Sequence, residues 1–371
     1  MSRTLASPYI EWAKLCSSAR FNLATSGVKA LPLAELGASL DDLEISGAGS
    51  YGYAPLVDRV AAKFGVPPQM VVMAEGTSMA NHLAMAALVE PGDEVIVEQP
   101  TYEPLLATAE YLGARVRRAP RRPEQEYRVD PDEWRQLITP RTRLVVLANL
   151  HNPSSVLLDT ATLRAIGDLA ERADAHVLVD EVYLDAVFDD TPASAVHLGP
   201  RFVATGSLTK IYGLSGLRCG WILAEPPLAR RMWRLGDLFC NVSAHPAQCL
   251  SVVAFDHLPR ILARARALLE RNRDILNEFL TAHAASLDTS PLRFGTTVCP
   301  AVRAGDADRL CALLAERYDT SVVPGRFFEL PGHVRIGIGG DSDALAEGLS
   351  RLGHALDDLA RSRHAHDGGR G

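Results

Sequence analysis

Lysine is scarce in this chain: of 38 basic side chains only Lys14, Lys29, Lys63 and Lys210 are lysines, so chemistry that needs an amine has few candidates. Lys210 stands out. It lies in Ser207-Leu208-Thr209-Lys210-Ile211-Tyr212-Gly213, among small and apolar residues just after the run FVATG. Desolvation there lowers an ammonium pKa and leaves a nucleophilic amine, which Schiff-base formation requires. Arg218 follows eight residues later and Ser207 precedes by three, a spacing that could clamp a phosphate from two sides. Upstream, Glu75-Gly76-Thr77-Ser78 opens a helical stretch, where free backbone N–H groups and the positive dipole end suit a phosphate. The same hydroxyls also serve as plain helix caps, and the Glu75 carboxylate opposes an anion. Asp180 ends the apolar run HVLVD and Tyr183 follows it. A buried carboxylate at that place needs a partner, either a structural ion pair or a cationic ligand nitrogen. Asn149–Ser155 follows another apolar run and carries the turn vocabulary Asn152-Pro153.

These residues need elements that hold them in register. VVMA (71–74), EVIVE (94–98), RLVVLA (143–148), HVLVD (176–180), FVATG (202–206) and CGWIL (219–223) are short β-branched runs suited to strands covered on both faces. Helical patterns alternate with them over 78–89, 103–112, 132–137 and 160–173, the last starting at Thr160. Alternation of this kind predicts an α/β sheet with mostly parallel strands. After about residue 245 the pattern becomes a long helical stretch broken near Pro259, then a compact α+β unit containing VRIGIG (334–339) and a helix over 342–360. The first 40 residues show no sheet and are expected to pack on that second unit. The polar, Gly-rich tail 362–371 is expected to be disordered.

Taken together the motifs resemble the fold type I pyridoxal-phosphate (PLP) enzymes, specifically the class I/II aminotransferases of the aspartate aminotransferase family. Ser207–Trp221 resembles that family's lysine segment and Val179–Tyr183 its Asp-x-x-Tyr strand; PTY (100–102), Asn152-Pro153 and Arg335 match in order. The resemblance implies a mainly parallel seven-stranded sheet covered by helices as a large PLP-binding domain, 45–250, and a smaller discontinuous α+β domain, 1–44 plus 251–371. It implies pyridoxal 5'-phosphate as cofactor, with Lys210, Asp180 and Tyr183 as catalytic residues. Gly76, Thr77, Ser78, Ser207, Thr209 and Arg218 would surround the phosphate, Tyr102 would stack on the ring, and Asn152 with Tyr183 would bond its phenolic oxygen. Gly27, Asn152 and Arg335 would bind substrate, Arg335 taking the α-carboxylate. The implied reaction is ping-pong transamination between an L-amino acid and a 2-oxo acid, through aldimine and ketimine stages, in a cytoplasmic homodimer. A PLP-dependent β-lyase or decarboxylase on the same fold is the alternative.

Three departures from the family pattern are visible: Ser155 stands where it usually has glycine, Leu150 where proline is common, and Gly47 where a partner-subunit tyrosine often reaches the phosphate. Tyr51 or Tyr53 could substitute for that tyrosine. Gly47–Gly52 also reads literally as GxGxxG, a distant hint of an NAD(P)-dependent dehydrogenase, but the preceding LEIS is a poor buried strand. Ser207-x-x-Lys210 matches the SxxK of serine acylases, yet no lysine begins a KTG.

The rest narrows the field. A net charge of −7 argues against an extended nucleic-acid surface. The apolar run 83–89 falls far short of the ~18 residues of a membrane helix, and the N-terminus lacks a signal-peptide pattern. Six scattered cysteines without a CxxC pair argue against zinc and disulfide frameworks. His82, His151, His364 and His366 read as ordinary surface or loop histidines, with no metal role. Trp12, Trp134 and Trp233 read as packing residues and Trp221 as core.

Overall fold

The computed structural model describes residues 6–47, 50–240, 242–303 and 306–367, with 362–367 as backbone alone. The first strand, β1 (Phe21–Asn22), is two residues long. Seven strands then build the main sheet: β2 (Val71–Glu75), β3 (Glu94–Gln99), β4 (Arg115–Pro120), β5 (Thr142–Ala148), β6 (His176–Asp180), β7 (Phe202–Ser207) and β8 (Cys219–Leu223). Their order is β2-β8-β7-β6-β5-β3-β4. Only β8 runs against its neighbours in that sheet; the other four pairings are parallel. The strands are apolar on both faces because helices cover both. Val95 and Val97 of β3 pack into one apolar cluster and Ile96 into the opposite one, all fully buried. Each such side chain contributes roughly 1.5–3 kcal/mol when removed from water.

One consequence of this order matters for chemistry. The loops leaving β2, β3, β5, β6 and β7, and the one entering β8, all meet at a single end of the sheet. Ligands bind there in open α/β sheets.

The smaller sheets come from β9 (Leu287–Asp288), β10 (Thr297–Val298), β11 (Ala301–Val302), β12 (Thr320–Ser321), β13 (Val323–Pro324) and β14 (Val334–Gly337). They form a three-stranded β10-β14-β13 sheet and the pairs β11-β9 and β1-β12. The helix His245–Asp256 is followed after His257 by the helix Leu258–Ala282, so the break near Pro259 is real.

Several expectations need correction. The N-terminal segment does contain sheet, since β1 pairs in parallel with β12. The run RVRRAP escaped notice as a strand because arginines fill it. It forms the edge strand β4, where charged side chains and a terminal proline discourage further pairing. The helix expected to start at Thr160 does start there, as Thr160–Arg172, and what the expectation lacked is its cap: the Asp159 carboxylate accepts from the Thr162 amide. Residues 362–367 are not a loose tail but extend the last helix, Ser342–Asp367; 368–371 lie outside the described residues. Finally, among the described residues no strand lies between β1 and the helix Ala54–Phe64 to lead into the Gly47–Gly52 loop, so they form no dinucleotide-binding unit there. Ala48 and Gly49 of that loop lie outside the described residues.

Candidate active site

The sheet end holds a cavity of about 160 Å³ whose lining includes Lys210, Asp180, Tyr183, Tyr102, Asn152 and Arg218. Thr77, Ser78, Ser207 and Thr209 line it as well. Residues drawn from five strand ends therefore converge, as their positions in sequence predict.

The Lys210 amine donates to Ser26 Oγ at 3.0 Å, and the Tyr183 hydroxyl donates to the same oxygen at 2.7 Å. Burial lowers the Lys210 pKa from its ordinary value, the condition for a nucleophilic amine. Burial pushes the Tyr183 phenol up to about 12, so it stays a donor near neutrality. Gly27 lies against Lys210: a Cβ added there would sit 3.5 Å from the lysine carbonyl oxygen.

Asp180 is 4% exposed at the tip of β6. It accepts from the Asn81 amide at 2.8 Å and from the Val182 backbone N–H at 3.1 Å. Asn81 is held in turn by Thr205, whose hydroxyl donates to the amide oxygen at 2.6 Å. Burial raises the Asp180 carboxyl to about 6, partly offset by the Asn81 and Val182 hydrogen bonds.

At the other end of the cavity the helix Gly76–Leu88 begins directly after β2 with no side-chain cap, leaving its first amides free. Gly76 has φ +78°, and a Cβ there would lie 2.4 Å from an Arg218 guanidinium nitrogen. Arg218 donates to the Ser215 and Glu75 carbonyls at 3.2 Å each and forms no ion pair with a carboxylate among the described residues. The Glu75 carboxylate lies against Cys240, 3.6 Å from its sulfur. Thr77 Oγ1 donates to Ser207 Oγ at 2.8 Å, while the buried Thr209 hydroxyl has no partner.

Arg335, on β14, is fully buried. It donates to Asn152 Oδ1 at 3.1 Å, to the Tyr9 hydroxyl at 3.0 Å and to the Ala24 carbonyl at 2.8 Å. Its Nε has no partner, and no carboxylate among the described residues pairs with it. A buried cation with polar but uncharged neighbours is ready for an incoming anion. Tyr9 also meets Tyr102 edge-on, ring centroids 5.8 Å apart, so it touches both Arg335 and Tyr102.

Sequence reasoning missed several members of this constellation. Ser26 sits beside Gly27 and carries no motif of its own. Asn81 follows Thr77 by one helical turn, two polar residues on one buried face of the helix, a pairing that could have been noticed. Tyr9 gave no local signal. His151, expected as an ordinary loop residue, is 1% exposed; its Nε2 meets the Pro100 carbonyl at 3.0 Å and its Nδ1 the Ser154 hydroxyl at 2.6 Å. It ties the Tyr102 loop to the Asn152 loop. Ser155 keeps the left-handed backbone that a glycine would adopt, with φ +60°. At Gly47 a tyrosine would not fit, since a Cβ there would come within 2.3 Å of the His245 ring.

PLP needs a free amine, a carboxylate for its ring nitrogen and an anion cradle. The lone Arg218 charge, the uncapped helix start, the Gly76 clearance and the orphaned Thr209 hydroxyl fit its phosphate, and Asp180 fits the nitrogen. Fold and pocket together define a fold type I PLP-dependent enzyme. Residues 23–352 match the family Aminotransferase class I and II, and the chain belongs to it. Capreomycidine synthase of Streptomyces vinaceus is 33% identical over 98% of this chain and 97% of its own length. Arginine–pyruvate transaminase AruH of Pseudomonas aeruginosa is 33% identical over 77% of this chain and 75% of its own. A PLP-dependent aminotransferase from Streptococcus suis superposes with a TM-score of 0.90 at 26% identity, covering 96% of this chain and 99% of that one.

Proposed function

We propose that this aminotransferase works through Lys210 as the cofactor-bearing amine and proton carrier, with Asp180 as the ring-nitrogen partner and Arg335 as the carboxylate anchor. Bound PLP supplies an electron sink that acidifies the hydrogen on the substrate Cα. The protein's part is placement. Asp180, held as a carboxylate by Asn81, stabilises a protonated ring nitrogen. Gly76, Thr77, Ser78, Ser207, Thr209 and Arg218 grip the phosphate, and Tyr102 covers one ring face. Arg335 and Asn152 hold the α-carboxylate so that the Cα hydrogen faces Lys210, which Ser26 and Tyr183 orient from behind. The observation that carries this reading is the Lys210 amine, deprotonation-prone and hydrogen-bonded to Ser26, in the same cavity as Asp180 and the Arg218 cradle.

The same reading divides the chain into a cofactor-binding unit, 45–250, and a discontinuous unit from 1–44 and 251–371. It also makes the molecule a cytoplasmic homodimer. Leu238, Phe239, Val242 and Tyr51 are exposed, and a second copy would cover them. No described helix is long and apolar enough to cross a membrane.

A second outcome, bond-making or elimination at the substrate side chain, is favoured by the likeness to capreomycidine synthase, a relative named for a synthase reaction. One experiment separates the two. Holoenzyme is incubated with a panel of amino acids that includes arginine, with and without pyruvate, and products are identified by mass spectrometry. Transamination gives a 2-oxo acid and alanine, only when pyruvate is supplied over many turnovers. Multiple turnovers without any acceptor would replace it with the second outcome, and protein that takes up no PLP would end both.

A further inference from the structure

The Asn152 loop departs from the family pattern at Ser155, and the structure shows what the serine adds. Its backbone stays in the left-handed region at φ +60°, so the loop keeps the course that glycine would give it and gains a hydroxyl. That hydroxyl is buried and leaves the large sheet altogether. Ser155 Oγ donates to the Thr297 carbonyl at 2.7 Å and accepts from the Thr297 amide at 3.3 Å. Thr297 Oγ1 donates back to the Pro153 carbonyl at 3.1 Å. Space for the contact is provided by Gly295, where an added Cβ would lie 2.5 Å from Ser155 Oγ.

Thr297 begins β10, which pairs with β14 in the register Thr297↔Gly337 and Val298↔Ile336. Arg335 lies on β14, and its guanidinium returns to Asn152 Oδ1 at 3.1 Å. The contacts close a ring: Asn152, Ser155, Thr297, the β10–β14 ladder, Arg335 and Asn152 again. Asn152 and Arg335 come from different sheets, and a substrate carboxylate held by both requires their separation to be fixed. The Asn152–Arg335 hydrogen bond must adjust when an anion enters, whereas the Ser155–Thr297 and Thr297–Pro153 bonds tie the same loop to the β10–β14 sheet away from that point.

We propose that Ser155, acting through Thr297, is a positioning residue that sets the spacing of the Asn152–Arg335 carboxylate clamp. The inference rests on the reading of Arg335 as the substrate's carboxylate partner. It assigns Ser155 no contact with substrate or cofactor.

Ser155→Ala removes the hydroxyl and keeps the backbone restriction, whereas Ser155→Gly removes both. For each holoenzyme the PLP affinity, the kcat and KM of the best amino donor, and the competitive Ki of propionate, a carboxylate without an amine, are measured. Both variants should raise the donor KM and the propionate Ki about five- to twentyfold, with kcat and PLP affinity within twofold of the parent. Unchanged KM and Ki with only a lower melting temperature would reduce Ser155 to a structural plug and overturn the proposal. So would Ser155→Gly behaving as the parent while Ser155→Ala is impaired, because backbone restriction rather than the hydroxyl would then be at work. Arg335→Ala in the same series keeps the two ideas apart: if propionate binds it as well as the parent, the carboxylate assignment itself fails.

Discussion

Replacing Asn81 with leucine, of similar size but without the amide, tests how Asp180 is tuned. Asp180 is raised to about 6 by burial against the lowering effect of two hydrogen bonds, of which the Asn81 contact at 2.8 Å is one. A hydrogen bond to a charged group is worth roughly 1.5–3 kcal/mol. At about 1.4 kcal/mol per pKa unit, its loss lifts Asp180 by one to two units, to about 7–8 in the cofactor-free protein. PLP with a protonated ring nitrogen takes the carboxylate form, so binding below that pKa must first expel a proton. Affinity therefore falls as pH drops through the Asp180 pKa, with an inflection near 6 in the parent and near 7–8 in Asn81→Leu. The assay is fluorescence titration of apoprotein with PLP between pH 5 and 9. Thr205→Val, which unpins the Asn81 amide, should move the inflection in the same direction by less. An inflection unmoved in Asn81→Leu, in protein with native circular dichroism, would refute the assignment of Asn81 as the group that keeps Asp180 charged.

Two further outcomes follow from other parts of the molecule. Arg335→Lys replaces a planar fork, bonded to Asn152, Tyr9 and Ala24, with a point charge on a shorter reach; kcat/KM for every amino acid donor should fall about 30- to 100-fold while PLP affinity is unchanged, as steady-state kinetics will show. Glu181, 8% exposed and bonded to the Ser194 hydroxyl and the Ala195 amide, is raised by burial to about 7. Because its folded pKa lies above the unfolded one, its favourable contribution is full below pH 4.5 and is lost as pH rises through 7. Glu181→Gln should thus gain up to about 3 kcal/mol relative to the parent on going from pH 5 to pH 8, measured by urea unfolding of apoprotein; equal pH dependence in the two proteins would rule this out.

The main sheet was readable wherever a strand is covered on both faces, because burial there demands unbroken Val and Ile. β4 was hidden for the opposite reason: its arginines look like surface, yet on this edge strand Arg117 bonds the Leu137 carbonyl and Arg118 pairs with Glu329, partners that no local pattern announces. Candidate site residues that the structure brings together were readable where one strand end carries its own signal, as at Asp180, Asn152, Gly76 and Lys210. They were unreadable where the partner comes from a distant segment. Ser26 lies 184 residues from Lys210, and Tyr9 lies 326 residues from Arg335. No local period or spacing encodes such pairs. His151 failed for a related reason, since its burial is decided by Pro100 from another loop. Glu98 and Arg121 are similar: each looks like a surface charge, yet both are fully buried, 2.7 Å apart, with Glu98 also receiving the Ala148 amide beneath the Asn152 loop.

The anchor formed by Tyr9, Ala24 and Arg335 has a bearing on how the molecule matures. During synthesis every residue lining the Lys210 cavity, from Thr77 to Arg218, has been made once β8 has emerged. The Arg335 contacts cannot follow until a further hundred or so residues appear, since Tyr9 and Ala24 are made near the beginning of translation and Arg335 close to its finish. The segment bearing Tyr9 must wait, unpaired, for β14 to reach it.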